Sequence, residues 1–142
     1  MSKLITENDL RGILDKALPF GTTTKVLWSG VLYMFSGQTA PLSENVSDQK
    51  NGIVLVWSAY SSGQAQNYDW NYQFVHKNHV AVASGAGICH VMSNANFAKV
   101  GAKYVYVNND NIAGNDYNDD TGTASGVTYA NNYWVLRYVL GV

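Results

Sequence analysis

Three histidines and one cysteine occur as His76-x-x-His79 and Cys89-His90, which on paper is enough for four zinc ligands. Successive side chains on a strand point to opposite faces. Cys89 and His90 therefore cannot share one metal ion, or act as nucleophile and base, unless a bulge separates them. A lone cysteine in an apolar run is more often a core residue, and solitary histidines are more often surface polar groups. The acidic residues Asp110, Asp116, Asp119 and Asp120 form a second cluster. Paired carboxylates of this kind suit glycoside hydrolysis, and a spaced set suits calcium. Placing Gly114 at the glycine of a calcium-binding loop leaves Ala113 at a liganding position and Asp rather than Glu at the last one. Clusters of Asn, Asp and Gly more often build turns through Asx hydrogen bonds. The expectation is no metal, no cofactor and no catalytic residue.

A third constellation is aromatic. Tyr60, Tyr68, Trp70 and Tyr72 are interleaved with Gln64, Gln66, Asn67, Asp69 and Asn71. Sugar recognition needs a flat ring against the apolar face of the sugar and amide or carboxylate groups for its hydroxyls. The competing reading is that these rings pack on a sheet or on a second copy of the chain, and both readings stand at this point. Trp28, Trp57 and Trp134 lie inside apolar runs where core packing explains them, whereas Trp70 stands between Asp69 and Asn71. Trp70 is therefore the expected stacking anchor of a ligand site made by Tyr68, Asp69, Trp70, Asn71 and Tyr72. Asn111, Asp116 and Asn118 of the later polar loop are expected to join it across a subunit boundary.

The elements that must position these residues are mostly strands. Thr6-Glu-Asn-Asp9 is a variant capping box, and Leu10, Ile13, Leu14, Ala17 and Leu18 follow at helical spacing until Pro19. One amphipathic helix within residues 1–20 is expected, too short to be stable unless its stripe docks. Residues 21–142 read as a β head. Strands are expected over 25–30 and 31–35, as two strands or one long bulged strand, and over 53–60, 73–77, 79–83, 87–92, 103–107 and 133–140, with 53–60 apolar on both faces and therefore central. Residues 108–132 read as one long irregular stretch, of a length that is usually either functional or disordered. The fold class expected is mainly β, a β-sandwich or jelly-roll-like head preceded by one short helix.

Composition narrows the partners. The 142 residues carry a formal net charge of −1 and only 13% charged residues, so nothing favours nucleic acid or an anionic membrane surface. One cysteine excludes an intrachain disulfide. No apolar run approaches a membrane span, and the N-terminus lacks the signature of a signal peptide. An apolar content of 46% in a chain this poor in charge favours burial of further surface by symmetric association, and a homotrimer is expected.

Four stretches, taken in order, resemble a known family: Lys25-Val-Leu-Trp-Ser-Gly30, Val46-Ser-Asp48, Phe74-Val-His-Lys77 and Tyr133-Trp-Val-Leu-Arg-Tyr-Val-Leu-Gly-Val142. The chain is similar to receptor-binding domains of tail fibres and baseplates from tailed bacteriophages of Gram-positive hosts. The resemblance implies a non-enzymatic virion protein, made in the host cytoplasm. It further implies a homotrimeric head that binds host cell-wall polysaccharide or teichoic-acid sugar and contacts other tail or baseplate proteins. The matching stretches are framework strands and carry no binding residue. The N-terminus departs from the family in having no attachment shoulder or neck, so either the chain is a tip domain or it attaches through a partner. Two alternatives remain: a wall-polysaccharide depolymerase using Asp116, Asp119 or Asp120, and a purely structural virion subunit.

Overall fold

The computed structural model describes residues 6–10 and 24–142. At its start the capping box is formed: the Asp9 N–H donates to Thr6 Oγ1 and the Thr6 N–H donates to Asp9 Oδ2, each at 3.1 Å. Hydrogen bonds from the Thr6 backbone and then its hydroxyl hold the Asp9 carboxyl below its ordinary pKa. Residues 7–10 are helical, with the Leu10 N–H on the Thr6 carbonyl at 3.0 Å. The expected stripe of Ile13, Leu14, Ala17 and Leu18 lies outside the described residues.

The head is mainly β, with two antiparallel sheets. The first runs β1 (Lys25–Leu32), β11 (Trp134–Gly141), β3 (Gly52–Ser61) and β5 (Asn71–His76), and β4 (Gln64–Ala65) folds back on the end of β3. The second runs β2 (Thr39–Pro41), β8 (Asn111–Ala113), β7 (Val100–Val107) and β6 (Gly87–Ser93). β9 (Thr121–Ala124) and β10 (Val127–Ala130) form a separate hairpin. One core lies between the sheets. Ile53, Leu55 and Trp57 from β3 and Trp134, Leu136 and Val139 from β11 meet Met92, Val105, Val107 and Ile112 from the second sheet. Each fully buried aliphatic side chain contributes roughly 2 kcal/mol, so the arrangement is dictated by which face of each strand is apolar.

β7 keeps strict period two: Gly101, Lys103, Val105 and Val107 are buried and the alternate residues are not. β11 does not, because its register to β3 slips between Leu136 and Tyr138. That bulge lets Leu136 and Val139, three residues apart, both reach the core. As expected, β3 is central, paired on one side to β11 and on the other to β5.

Three sequence expectations are corrected. His79–Val82 is a single helical turn rather than a strand, and Val82 is left exposed. Here the β-branched propensity of the run yields to turn formation after Asn78, whose N–H is taken by His76 Nδ1 at 3.1 Å. β1 ends at Leu32, and Met34 then adopts a positive φ of 65°, which turns its side chain into the core. Residues 108–132 hold β8, β9, β10 and two 3-10 turns. Strands of three or four residues show no periodicity that a sequence reading can register.

Candidate functional site

The segment from Gly63 to Tyr72 is built by a chain of local constraints. Ser62 and Gly63, with φ of 55° and 78°, form the two-residue hairpin turn between β3 and β4. Asp69 then adopts a φ of 56°, and its backbone carbonyl accepts the Trp134 indole N–H at 3.0 Å. Its carboxylate accepts the Tyr133 hydroxyl at 2.6 Å. Burial and then that hydrogen bond push the Tyr133 hydroxyl pKa up. The Asn71 amide donates to the Asp69 and Ser93 carbonyls at 3.3 and 3.4 Å. Asp69 and Asn71 therefore anchor the loop to the sandwich instead of facing a ligand. A left-handed non-glycine residue is strained, and here three side chains hold it in place.

This anchored turn delivers Trp70 to the outer face of the first sheet. The Arg137 guanidinium carbon sits 5.2 Å from the Trp70 ring centroid and 5.9 Å from that of Tyr138. Arg137 occupies the β11 bulge, so it and Tyr138 share the outer face. Its Nη1 donates to Ser58 Oγ at 2.9 Å, to the Gln66 carbonyl at 3.2 Å and to Asn67 Oδ1 at 3.3 Å. Nη2 also reaches Asn67 Oδ1 at 3.3 Å. All of these acceptors are neutral, and among the described residues no carboxylate pairs with Arg137.

Register extends the surface. Tyr138, Val56 and Tyr72 lie in one row, and Val26, Leu140, Val54 and Phe74 lie in another. Tyr72 is 62% exposed and Phe74 55%. Tyr68 is also exposed. The result is a flat platform of rings and aliphatic side chains around a stacked guanidinium. Of the residues singled out from the sequence, Trp70 and Tyr72 lie on this surface and Tyr68 is exposed; Arg137, Tyr138 and Phe74 were not singled out there. A signal was present, since Arg137 is the only charged residue inside the apolar run from Tyr133 to Leu140.

The other expected residues go elsewhere. Asn118 is fully buried; its amide donates to the Met34 and Tyr104 carbonyls at 2.6 and 2.8 Å, and its oxygen accepts the Tyr104 N–H at 2.7 Å. It serves as a surrogate strand for β7 and has no access to a ligand. Asn111 donates to Asp110 and accepts from Asn108. Asp116 is exposed on a 3-10 turn whose preceding Asn115 forms the expected Asx bond to the Tyr117 N–H. No hydrogen bond or ring contact joins this region to residues 63–72 among the described residues.

The metal and acid–base candidates are likewise dispersed. Cys89 is exposed rather than in the core, because it falls on the outward position of edge strand β6. His90 points the other way, and burial lowers its pKa. No group of three or more His, Cys, Asp or Glu could hold a metal ion among the described residues. Asp120 accepts the Thr121 N–H and the Tyr129 hydroxyl. The most perturbed cation among the described residues is Lys103, which is 1% exposed in the core. Its Nζ donates to the Tyr33 and Asn118 carbonyls at 2.9 and 3.2 Å and lies over the Tyr33 and Trp57 rings. Burial drives its pKa down to about 7, opposed by Asp119. With no solvent access, it acts on stability. No protein-family model matches the chain, and no curated protein matches its sequence.

Proposed function

We propose that this chain is a binding module that recognises a glycan on a bacterial cell surface, in the role of a phage receptor-binding domain. The observation that carries the reading is the platform in which Trp70 stacks on Arg137 beside Tyr138 and Tyr72. Flat rings held rigid by a bulged strand offer an apolar surface for a sugar ring, and the Asn67 amide stands at the edge for its hydroxyls. The phage-tail role, the virion location and contact with other tail or baseplate proteins rest on the sequence resemblance. The apolar row from Val26 to Phe74 on the same face supports self-association, and a homotrimer remains part of the proposal. No observation favours the depolymerase reading over binding, since the Asp120 carboxylate is committed to its own turn and hairpin.

The test is binding of Trp70→Ala and Tyr72→Ala proteins to cell-wall polysaccharide preparations. Removing a stacking anchor lowers affinity by about 2 kcal/mol, roughly thirtyfold, if the ring is a hot spot. Full binding by both variants, with the wild-type melting temperature, would refute the site.

A further inference from the structure

Away from this platform, the β9–β10 hairpin lies against β7, and a groove opens between the hairpin and residues of β6 and β7. It opens to about 580 Å³ at the Phe97 end and about 430 Å³ at the Tyr117 end, and Val100, Val127 and Tyr129 line both parts. Volumes of this size accommodate small ligands. Eleven large apolar side chains are exposed among the described residues, and four of them, Val91, Phe97, Tyr117 and Val127, converge here. Such convergence in a concavity is the usual mark of a binding surface rather than of scattered surface residues.

The groove is held in shape from below. A Cβ on Gly101 would lie 2.7 Å from the Ala130 carbonyl oxygen, so only glycine lets β10 settle this closely on β7. Asn131, buried at the hairpin base, accepts the Ala102 N–H at 2.7 Å and donates to the Tyr117 carbonyl at 2.9 Å. The Tyr129 hydroxyl is fixed on Asp120 at 3.0 Å. At the mouth, Asn96 and Phe97 both adopt left-handed conformations, with φ of 66° and 55°, and Phe97 stands 77% exposed. Two consecutive strained residues that display a phenyl ring to solvent have no packing reward in the isolated chain.

Charge selects the ligand. Lys99 is the only charged side chain lining the groove, and no carboxylate lines it. The Lys99 ammonium lies 5.5 Å from the Tyr133 ring centroid and is in no ion pair among the described residues.

We propose that this groove is a second ligand site, taking a sugar unit that carries an anionic substituent, carboxylate or phosphate. The sugar ring lies against Phe97 and Tyr129, its hydroxyls meet Thr128, and its anionic group meets Lys99. The choice of a sugar rests on the glycan-binding reading above; the location and the charge preference rest on the groove itself.

The experiment titrates glucose, glucuronic acid and glucose 6-phosphate into the full chain, with amide chemical shifts read by NMR. Glucuronic acid or glucose 6-phosphate is expected to shift residues 97–100 and 126–130 and to bind roughly tenfold more tightly than glucose. The stronger of the two acids identifies the substituent. Lys99→Gln should erase the preference for the acid, Phe97→Ala should abolish binding, and Trp70→Ala should leave both unchanged. Phe97 and Lys99 are both exposed, so these variants keep the fold. Shifts confined to the Trp70 face, a preference that survives Lys99→Gln, or occupation of the groove by apolar peptide but none of the sugars would overturn the proposal. Full polysaccharide binding by Trp70→Ala, with these groove shifts intact, would refute the platform alone.

Discussion

Lys103→Met replaces a buried ammonium with an apolar chain of similar length. In the folded protein Lys103 titrates at about 7, against 10.5 for an unperturbed lysine, because burial in the sandwich core disfavours the charged form. The unfolded chain therefore binds more protons than the folded one between about pH 7 and pH 10.5. Folded stability rises with pH through that window, is complete above it, and is lost as pH falls through 7. The whole change is on the order of 5 kcal/mol. Against this, the Met variant leaves the Tyr33 and Asn118 carbonyls without the donor they have at 2.9 and 3.2 Å, at a cost of about 1–3 kcal/mol each. The net expectation is that Lys103→Met is equal to or more stable than wild type near pH 6 and clearly less stable near pH 10. Urea unfolding of both proteins from pH 6 to pH 10 measures this directly, because the other titrating groups contribute equally and cancel in the difference. A stability difference that stays constant across this range would refute the claim that Lys103 is neutralised by burial.

Other perturbations follow from the same packing. Asn118→Ala removes three hydrogen bonds to buried backbone groups and should destabilise the fold by about 3 kcal/mol or more, measured as a fall in the urea midpoint. Gly101→Ala should cost roughly 1–3 kcal/mol and displace the β9–β10 hairpin, seen as amide shifts over residues 121–131, because the new methyl meets the Ala130 carbonyl and the Trp134 ring. Light scattering at micromolar concentration should return three times the 15.5 kDa chain mass, and a monomer mass would remove the trimer from the proposal.

What the sequence determined by itself is the class of fold and its central strand. Residues 53–60 are apolar throughout, and such a run is stable only when both faces are covered, so the identity of the central strand was legible from residue types alone. The capping box at Thr6 was equally legible, since its two partners are three residues apart and the interaction is local. The turn residues and rings of 63–72 marked an unusual loop. Whether each side chain faced ligand or scaffold depended on contacts with residues more than sixty positions away: Tyr133 and Trp134 took Asp69, and Arg137 took Trp70.

Only the tertiary structure decided the rest, because it depends on long-range registers that no local pattern encodes. A bulge of one residue in β11 moves Arg137 to the outer face, and a one-residue slip changes which face every later side chain occupies. Lys103 is forced inward only because the alternation of β7 is tied to the core through Val105 and Val107. Asn118 reads as a loop amide until its side chain is found pairing with the backbone of Tyr104. The groove under β9–β10 exists because Gly101 and Asn131, thirty residues apart, let a hairpin rest on a sheet. Local chemistry chose the elements, and the mutual burial of distant faces chose which of their side chains remain free to bind.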